Sequence, residues 1–436
     1  MTWLFTQAAG LASRLAALLK ENPAELCFTG LFWSFWATLA LFPIGYGWRE
    51  VSPLVSLALL LLYYRYAWAR SVLARLEVFP LFWCFWTMLL IGVLFSGDPL
   101  SSLLHTGTGI NKGFILPFIA MECVREEKDL RRLVWACVLA CFWQGLDGLW
   151  QAYSGRDFIM GYPLSSGRLT GSLGDYPVGN YIALALIPAC AFWFTLREKL
   201  CRVASLLLVF VFLGPACYLL LGAAARSGML ALAAAMGLWW WLVREDACTL
   251  RRYCLPLVAS FGLLVFLLAL APRRGLLSSA TVFADGRWNL WELAWRVFCD
   301  APWFGAGAGQ YNAAFRALGL TPSHDPITIS HPHNMYLDIL CAHGIVGFIP
   351  GMVFLFGFLC WGYRRIRPGL LAEWRDKADS LYWRLAAAFW VGYAGWLVNG
   401  IFGHDFYRTW WLALAMSYLG VMIGAAVNGM QPEKSS

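Results

Sequence analysis

The sequence is poor in charged residues. Only 13% of its 436 residues are Asp, Glu, Lys or Arg, whereas 60% are hydrophobic. Water-soluble domains contain about 25% charged and about 45–50% apolar residues, so this composition excludes a soluble enzyme and a disordered chain. Paired cysteines are absent as well, because the 13 cysteines form no CxxC motif and most lie in apolar stretches. These features predict a membrane-embedded chain with buried single thiols and without a disulfide framework.

The hydrophobic residues are gathered into stretches long enough to cross a bilayer, which takes about 20 residues of helix. Twelve such stretches predict an all-α polytopic membrane protein. They lie at 26–46, 51–64, 78–96, 107–123, 131–152, 177–196, 203–221, 227–243, 253–271, 343–363, 384–402 and 408–427. The N-terminal segment lacks the basic n-region of a signal peptide, and it predicts an amphipathic helix at the membrane surface.

The predicted organisation follows from these spans. It comprises an interfacial helix at 1–25, nine spans at 26–271, a long loop at 272–332, a re-entrant segment with three spans at 333–427, and a tail at 428–436. Inside the long loop, a helix is predicted from Asp285 to Ala301, with Asp285 as its N-cap. Its predicted apolar stripe consists of Trp288, Trp291, Trp295 and Phe298. Such a stripe is more typical of an interfacial anchor than of a ligand site.

The basic residues predict the orientation of the chain in the membrane. With the N-terminus inside, 22 of the 33 Lys and Arg residues fall in inside segments. The outside loops near 97–106 and 402–407 carry none. The positive-inside rule therefore predicts an even number of spans, both termini in the cytoplasm and the long loop outside. All six histidines then lie on or near the outer side, where a polar loop residue is the ordinary interpretation.

Two outer arginines are conspicuous. Arg226 lies in AAARSGML at the outer end of a hairpin between two spans, and Arg287 opens the long-loop helix. The planar arginine fork suits pyrophosphate, although snorkelling to lipid headgroups is the alternative for each. The glycine run at 305–309 lacks the GxGxxG spacing of a nucleotide loop and predicts a flexible turn. No outside DxD pair is present, which predicts a metal-independent site.

The most informative segment is 331–347, HPHNMYLDILCAHGIVG. In it, His333 and Asn334 are followed by nine residues and Gly344, then by two residues and Gly347. This His-Asn-x9-Gly-x2-Gly pattern resembles the signature of bacterial O-antigen ligases. The resemblance therefore places the candidate chemistry at the outer side of the membrane.

Three further stretches extend the resemblance to the ligase and polymerase superfamily. They are the Arg226 motif, Arg287…Pro302-x-x-Gly305-x-Gly307 and Arg168…Gly171…Pro177…Asn180. One departure is Ala225, which stands where the family usually has a small hydroxyl residue before the motif arginine. The resemblance covers the C-terminal part of the chain best, and the first hundred residues contribute only topology.

This resemblance implies a GT-C-like fold and a glycosyltransferase that works with inversion. The enzyme would transfer O-antigen polysaccharide from undecaprenyl pyrophosphate to a sugar hydroxyl of the lipid A–core oligosaccharide. It would sit in the inner membrane of a Gram-negative bacterium with its active site facing the periplasm. The implied partners are these two lipid-linked substrates and the bilayer, with no nucleic acid, no metal and no cofactor.

The resemblance also implies roles for individual residues. His333 would be the general base, and Arg226 and Arg287 would stabilise the pyrophosphate leaving group. The implied substrate-binding residues are Arg168, Lys112, Asn334 and His331. The implied structural glycines are Gly344, Gly347, Gly305 and Gly307.

Three alternatives stay open on the sequence. An O-antigen polymerase would share the architecture and the donor, and Arg168 followed by ten residues and Gly179 fits a pattern of polymerase loops. The His333 signature favours the ligase. A transporter of lipid-linked saccharides would place charges near the membrane midplane and often shows repeated halves, neither of which is seen. A protein O-oligosaccharyltransferase would have a similar topology.

Overall fold

The computed structural model describes residues 22–174, 177–243, 255–270, 287–320, 331–375, 380–403 and 406–429. In these ranges the chain forms helices and short turns, with two isolated β-bridges and no strand. The α-helices are α1 (Pro23–Leu41), α2 (Tyr46–Ala67), α3 (Pro80–Leu94), α4 (Pro99–Glu122), α5 (Glu127–Ser154), α6 (Pro177–Ala189), α7 (Phe192–Arg197), α8 (Arg202–Ala223), α9 (Arg226–Val243), α10 (Leu255–Leu270), α11 (Arg287–Asp300), α12 (Tyr311–Ala317), α13 (Met335–Arg375), α14 (Tyr382–Asn399) and α15 (Thr409–Asn428).

The helices agree with the predicted spans. Every predicted span overlaps a helix, and the span at 177–196 is shared by α6 and α7. By length and composition, 8 helices of the described ranges are suited to crossing a membrane, and α3 and the second half of α4 are shorter apolar helices. The prediction of an all-helical polytopic membrane protein is confirmed. The count of twelve spans and the cytoplasmic location of the termini stay predictions.

One end of the helix bundle collects basic residues and their acidic partners, and we call it the basic end. Arg125, just before α5, pairs with Glu25 in the first turn of α1 at 2.6 Å. Arg75, between α2 and α3, donates a 2.7 Å hydrogen bond to Asn428 at the end of α15. The first described helix therefore begins, and the last one ends, at the same end of the bundle.

The opposite end carries the signature segment, and we call it the signature end. α5 has 28 residues, which corresponds to about 42 Å of helix and separates the two ends. The amide of Leu169, in the connection after α5, donates to the carbonyl of Gly222 near the end of α8 at 3.2 Å. The amide of Met335, at the start of α13, donates to the carbonyl of Gly400 after α14 at 2.8 Å. The connections predicted to be outside thus meet at this end.

Small residues allow the helices of the bundle to approach closely. α15 packs along α4 through Gly420 and Gly424, which are spaced by one helical turn. A Cβ on Gly420 would lie 2.5 Å from the carbonyl oxygen of Pro117, and one on Gly424 would lie 2.3 Å from that of Met121. Apolar lipid gives helices little hydrophobic reason to associate, so such close backbone packing is a main source of their attraction.

The predicted long-loop helix exists as α11, which spans Arg287–Asp300, while Asp285 lies outside the described residues. Its buried face differs from the predicted tryptophan stripe. The side chains that pack inward are Leu290, Leu293, Ala294 and Val297. Trp288 and Trp295 are 55% and 54% exposed. The aliphatic face is selected because it packs on α12 and on the first part of α13, where the Cys341 thiol donates to the carbonyl of Ala294 at 3.0 Å.

A hydroxyl group fixes α11 to α12. Tyr311, the first residue of α12, donates a 2.9 Å hydrogen bond to the carbonyl of Leu290 in α11. Burial raises the pKa of Tyr311, so its hydroxyl stays protonated and remains a donor at neutral pH. α11 and α12 therefore form a small core of their own beside the signature end.

Candidate active site

The helix that carries the signature is interrupted near its start. α13 has 41 residues, and Gly344 within it has the non-helical dihedrals φ 58° and ψ −169°. Two carbonyls that precede the break accept hydrogen bonds from outside the helix. The amide of Ala306 donates to Cys341 at 2.8 Å, and that of Gly307 donates to Ala342 at 3.0 Å.

The amides that follow the break are satisfied in the same way. Ile345 donates to the carbonyl of Pro302 at 2.9 Å, and Val346 donates to that of Trp303 at 3.1 Å. An unsatisfied backbone group inside a membrane costs several kcal/mol, and irregular backbone is tolerated there only where protein or water satisfies it. We call the stretch Pro302–Gly307 the clamp, because its backbone closes the break in α13.

The clamp explains the predicted structural glycines. A Cβ on Gly344 would lie 2.4 Å from the carbonyl oxygen of Trp303, and one on Gly305 would lie 2.5 Å from the amide nitrogen of Gly344. On Gly307 a Cβ would lie 2.2 Å from the Ser96 hydroxyl oxygen. Gly344 also combines φ 58° with ψ −169°, a backbone region essentially restricted to glycine, which costs other residues on the order of 1–3 kcal/mol. The glycines of the two motifs therefore belong to one backbone contact.

Gly347, the last glycine of the signature, provides space for a histidine. His343 is fully buried, and a Cβ on Gly347 would lie 2.5 Å from its Cβ. The His343 ring also packs on Gly92 of α3 and is hydrogen-bonded through Nε2 to the hydroxyl of Tyr407. The expectation that each histidine is a polar loop residue is wrong for His343, because the break in α13 turns its ring into the bundle.

The start of α13 holds the other part of the signature. The side-chain oxygen of Asn334 accepts hydrogen bonds from the amides of Tyr336 at 2.9 Å and Leu337 at 3.0 Å. Asn334 is thus the N-cap of α13. The sequence resemblance had implied that this side chain binds substrate. His333 precedes the cap with φ 53°, and its ring centroid lies 4.3 Å from that of the buried His331.

Left-handed backbone is uncommon for a residue other than glycine. It costs on the order of 1–3 kcal/mol and persists only where the surroundings impose it. At His333 the constraints are the Asn334 cap and the hydrogen bond from Met335 to Gly400. Both fix the chain directly after His333, so the partly exposed imidazole is held at the signature end.

Arg226 is the first residue of α9, after a turn in which Ala224 has φ 50°. The next residue, Ser227, donates a 2.9 Å hydrogen bond to the side-chain oxygen of Asn180 in α6. The same oxygen accepts a 3.2 Å hydrogen bond from the side-chain amide of Asn399, at the end of α14. The Arg226 motif and the Asn180 stretch, which are 46 positions apart, are therefore joined.

Arg168 ends a tight hairpin. Its amide donates to the carbonyl of Ser165 at 3.0 Å, and the Ser165 amide donates back at 3.1 Å. Ser166 and Gly167 have φ 49° and 73°, which is the pattern of a two-residue type I′ turn. Since the next residue, Leu169, bonds to Gly222, the hairpin lies beside the α8–α9 turn that carries Arg226.

Arg287 opens α11 near the turn that follows α14. Trp291, one helical turn further on, has its ring 5.5 Å from that of Phe402. The amide of Phe402 donates to the carbonyl of Asn399 at 3.1 Å. Through this turn, Arg287 is connected to the residues that fix Arg226 and His333.

The Asn399–Phe402 turn is thus the common neighbour of the main candidates. It contacts α13 just beyond His333 and α11 beyond Arg287. It also contacts Asn180 of α6, which in turn binds Ser227 beside Arg226. Lys112 lies in α4, but its side chain is outside the described residues.

Sequence reasoning did not identify three polar residues of this region, Asp338, Asn399 and Tyr407. Only Asn399 had a visible signal, as an amide at the end of an apolar span.

Asp338 ties the signature helix to the connection before α15. Its carboxylate oxygen accepts from the amide of Phe406 at 3.1 Å, and the side chain is 7% exposed. Within the described ranges, no group of three or more His, Cys, Asp or Glu side chains could hold a metal ion.

The fold and this region define a polytopic helical membrane protein with a polar site at one end of its bundle. Residues 209–350 match the family model described as O-antigen ligase. The match includes Arg226, Arg287, the clamp and the whole His333 signature, and the predicted resemblance to the O-antigen ligase and polymerase superfamily is confirmed. The match covers 142 of the 436 residues. Among curated proteins, none matches the chain.

The clamp predicts a large difference between two glycines that share a positive φ. Gly319 has φ 67° and open space around it, so Gly319→Ala should lower the free energy of unfolding only by the cost of a left-handed backbone, about 1–2 kcal/mol. Gly344→Ala should lose more, because its Cβ also overlaps the Trp303 backbone. Thermal melting of both purified variants in one detergent tests this. Equal melting temperatures would show that the clamp does not confine Gly344.

The N-cap predicts how Asn334 responds to substitution. Asn334→Ala should lower the free energy of unfolding by about 1 kcal/mol, because the two amides at the start of α13 lose their acceptor. Asn334→Asp retains a capping oxygen and should melt close to the wild type. If the aspartate variant is destabilised as much as the alanine variant, capping is not the role of this side chain.

Proposed function

We propose that the protein is an O-antigen ligase. It transfers O-antigen polysaccharide from undecaprenyl pyrophosphate to a hydroxyl of the lipid A–core oligosaccharide, in one displacement with inversion. The observation that carries this proposal is the constrained start of α13, where His333 is held with φ 53° beside the N-cap. Strained backbone is typical of functional sites, and the His333 ring is partly exposed.

His333 acts as the general base in this proposal. A neutral imidazole, with a reference pKa of about 6.5, accepts the proton of the attacking sugar hydroxyl at neutral pH. The hydroxyl oxygen then forms the new glycosidic bond as the bond to the lipid pyrophosphate breaks. His331, whose ring lies 4.3 Å from that of His333, supports the acceptor side of the site.

Arg226 and Arg287 stabilise the leaving group. Negative charge grows on the pyrophosphate oxygen as the glycosidic bond breaks, and preorganised cationic donors lower the energy of that transition state. Each arginine is the first residue of its helix, so its backbone lies at the positive end of a helix dipole. Arg168 and Lys112 are additional binding residues for the donor.

The basic end faces the cytoplasm in this proposal, and the signature end faces the periplasm. The arginines and lysines of the basic end support this orientation by the positive-inside rule. The protein then lies in the inner membrane of a Gram-negative bacterium. Both of its substrates reach the site from the outer leaflet.

Two alternatives receive less support from the structure. Gly179 of the polymerase-like pattern has a packing reason, because a Cβ there would lie 2.4 Å from that of Ala225. Its presence is therefore no special sign of a polymerase. Transporters use the backbone groups of broken helices to bind ions. In α13, the clamp already occupies the carbonyls of Cys341 and Ala342.

A reconstituted reaction tests the proposal directly. Purified protein, undecaprenyl-pyrophosphate-linked glycan and lipid A–core are combined in the presence of EDTA. We expect capped lipopolysaccharide from the wild type and a rate about 10²–10⁴-fold lower from His333→Ala, because a general base is lost. Lys128→Ala, in the first turn of α5 at the basic end, removes only an exposed ion pair with Glu126 at 2.7 Å and is the control that should keep its rate.

The products decide between the alternatives. Longer lipid-linked chains without capped lipopolysaccharide would identify a polymerase. Absence of any glycosidic product from a correctly folded wild type would contradict a transferase. Inhibition by EDTA would contradict only the metal-independent mechanism.

α11 offers a matched pair of arginines for the leaving-group role. Arg287→Ala should lower kcat about 10²–10³-fold, the usual effect of removing a donor to developing negative charge. Arg296→Ala, on the same helix, removes only an exposed ion pair with Glu292 at 2.5 Å and should keep kcat. Single-turnover rates with saturating donor measure both. Similar rates for the two variants would exclude Arg287 from the chemical step.

A further inference from the structure

A buried chain of polar side chains crosses the signature end. Asn180 accepts hydrogen bonds from the Ser227 hydroxyl at 2.9 Å and from the Asn399 amide at 3.2 Å. Asn399 in turn accepts from the indole of Trp411 at 2.9 Å. Each residue belongs to a different helix, so the chain joins α6, α9, α14 and α15.

The burial of this chain makes it sensitive to the loss of any member. Asn399 and Trp411 are 0% exposed, and Ser227 and Asn180 are 6% and 7% exposed. A buried polar group that loses its partner costs about 1–3 kcal/mol, and hydrogen bonds are stronger where water is excluded. Because both the oxygen and the nitrogen of the Asn399 amide are engaged, its orientation is fixed.

Two members of this chain, Ser227 and Asn399, adjoin segments that hold proposed catalytic groups. Ser227 directly follows Arg226. Asn399 directly precedes Gly400, whose carbonyl accepts from Met335 at 2.8 Å, two positions after His333. A hydrogen-bonded path therefore runs from the Arg226 turn through Asn180 and Asn399 to the His333 turn.

We propose that Asn399, together with Asn180, is a positioning residue that fixes the Arg226 turn relative to the His333 turn. This inference rests on the proposed function. A base that activates the acceptor and a cation that stabilises the leaving group act on the two sides of one sugar carbon. Their separation must match the transition state, and a displacement of about 1 Å can cost about 10²-fold in rate. Asn399 acts through these neighbours and does not touch the substrate.

The protein contains a matched control residue at the opposite end of the bundle. Asn428, at the end of α15, also bridges two parts of the protein, because it accepts from Arg75 at 2.7 Å and donates to the carbonyl of Val124. Asn428→Ala removes a structural amide far from the signature end. It should lower the melting temperature and leave kcat unchanged.

The kinetic arm of the experiment compares full-length Asn399→Ala, Asn180→Ala, the double variant and Asn428→Ala. We expect Asn399→Ala and Asn180→Ala each to lower kcat at least about 10-fold, with the KM for the lipid-linked donor within about 3-fold. The double variant should be little slower than either single variant, because both break the same path. A kcat for Asn399→Ala equal to that of Asn428→Ala would overturn the proposal.

The second arm does not depend on the reaction. The hydrogen-exchange rates of the backbone amides at 335–340 are compared between the wild type and Asn180→Ala. These amides lie more than 150 positions from the substitution. If this hydrogen-bonded path stabilises the start of α13, these amides should exchange faster in Asn180→Ala. In Asn428→Ala their exchange rates should not change. Unchanged exchange would overturn the proposed coupling. A wild type without glycosidic product would instead contradict the proposed function.

Discussion

The contact between the clamp and the broken helix α13 is the constraint on which the signature end depends. A helix interrupted inside a membrane exposes carbonyls and amides that water cannot reach. Here the backbone of Pro302–Gly307 supplies four hydrogen bonds of 2.8 to 3.1 Å to the residues around Gly344. Side chains on Gly344 or Gly305 would separate the two backbones, so the glycines of both motifs serve one contact.

This contact has consequences beyond the break itself. The first part of α13 becomes a short separate helix, capped by Asn334 and packed on α11 and α12. Its start is thereby held against the Asn399–Phe402 turn, which also contacts α11 and Asn180 of α6, the partner of Ser227 in α9. Groups from distant parts of the chain, Arg226, Arg287 and His333, are thus ordered around one turn. The proposed transfer, with an anionic leaving group, requires its base and cations to be preorganised in this way.

The sequence predicted the membrane class and the helices well, because an apolar run of about 20 residues has one stable solution in a bilayer. It predicted the long-loop helix to within two residues at either end, but it identified only the exposed tryptophan stripe and not the aliphatic face that packs inward. Tryptophan is more conspicuous in a stripe than leucine, and only the neighbours of α11 decide which side packs inward. The same limit applies to His343, whose buried position follows from the break at Gly344.

The sequence by itself determined the helical membrane architecture, the grouping of basic residues at one end, and the signature that marks His333, Arg226 and Arg287. These properties are local, since hydrophobicity, charge and residue spacing are fixed along the chain. Only the tertiary structure decided that the clamp closes the break in α13 and that Asn180 and Asn399 join two of the motifs. Hydrogen bonds between residues far apart in sequence exist only after the helices have packed.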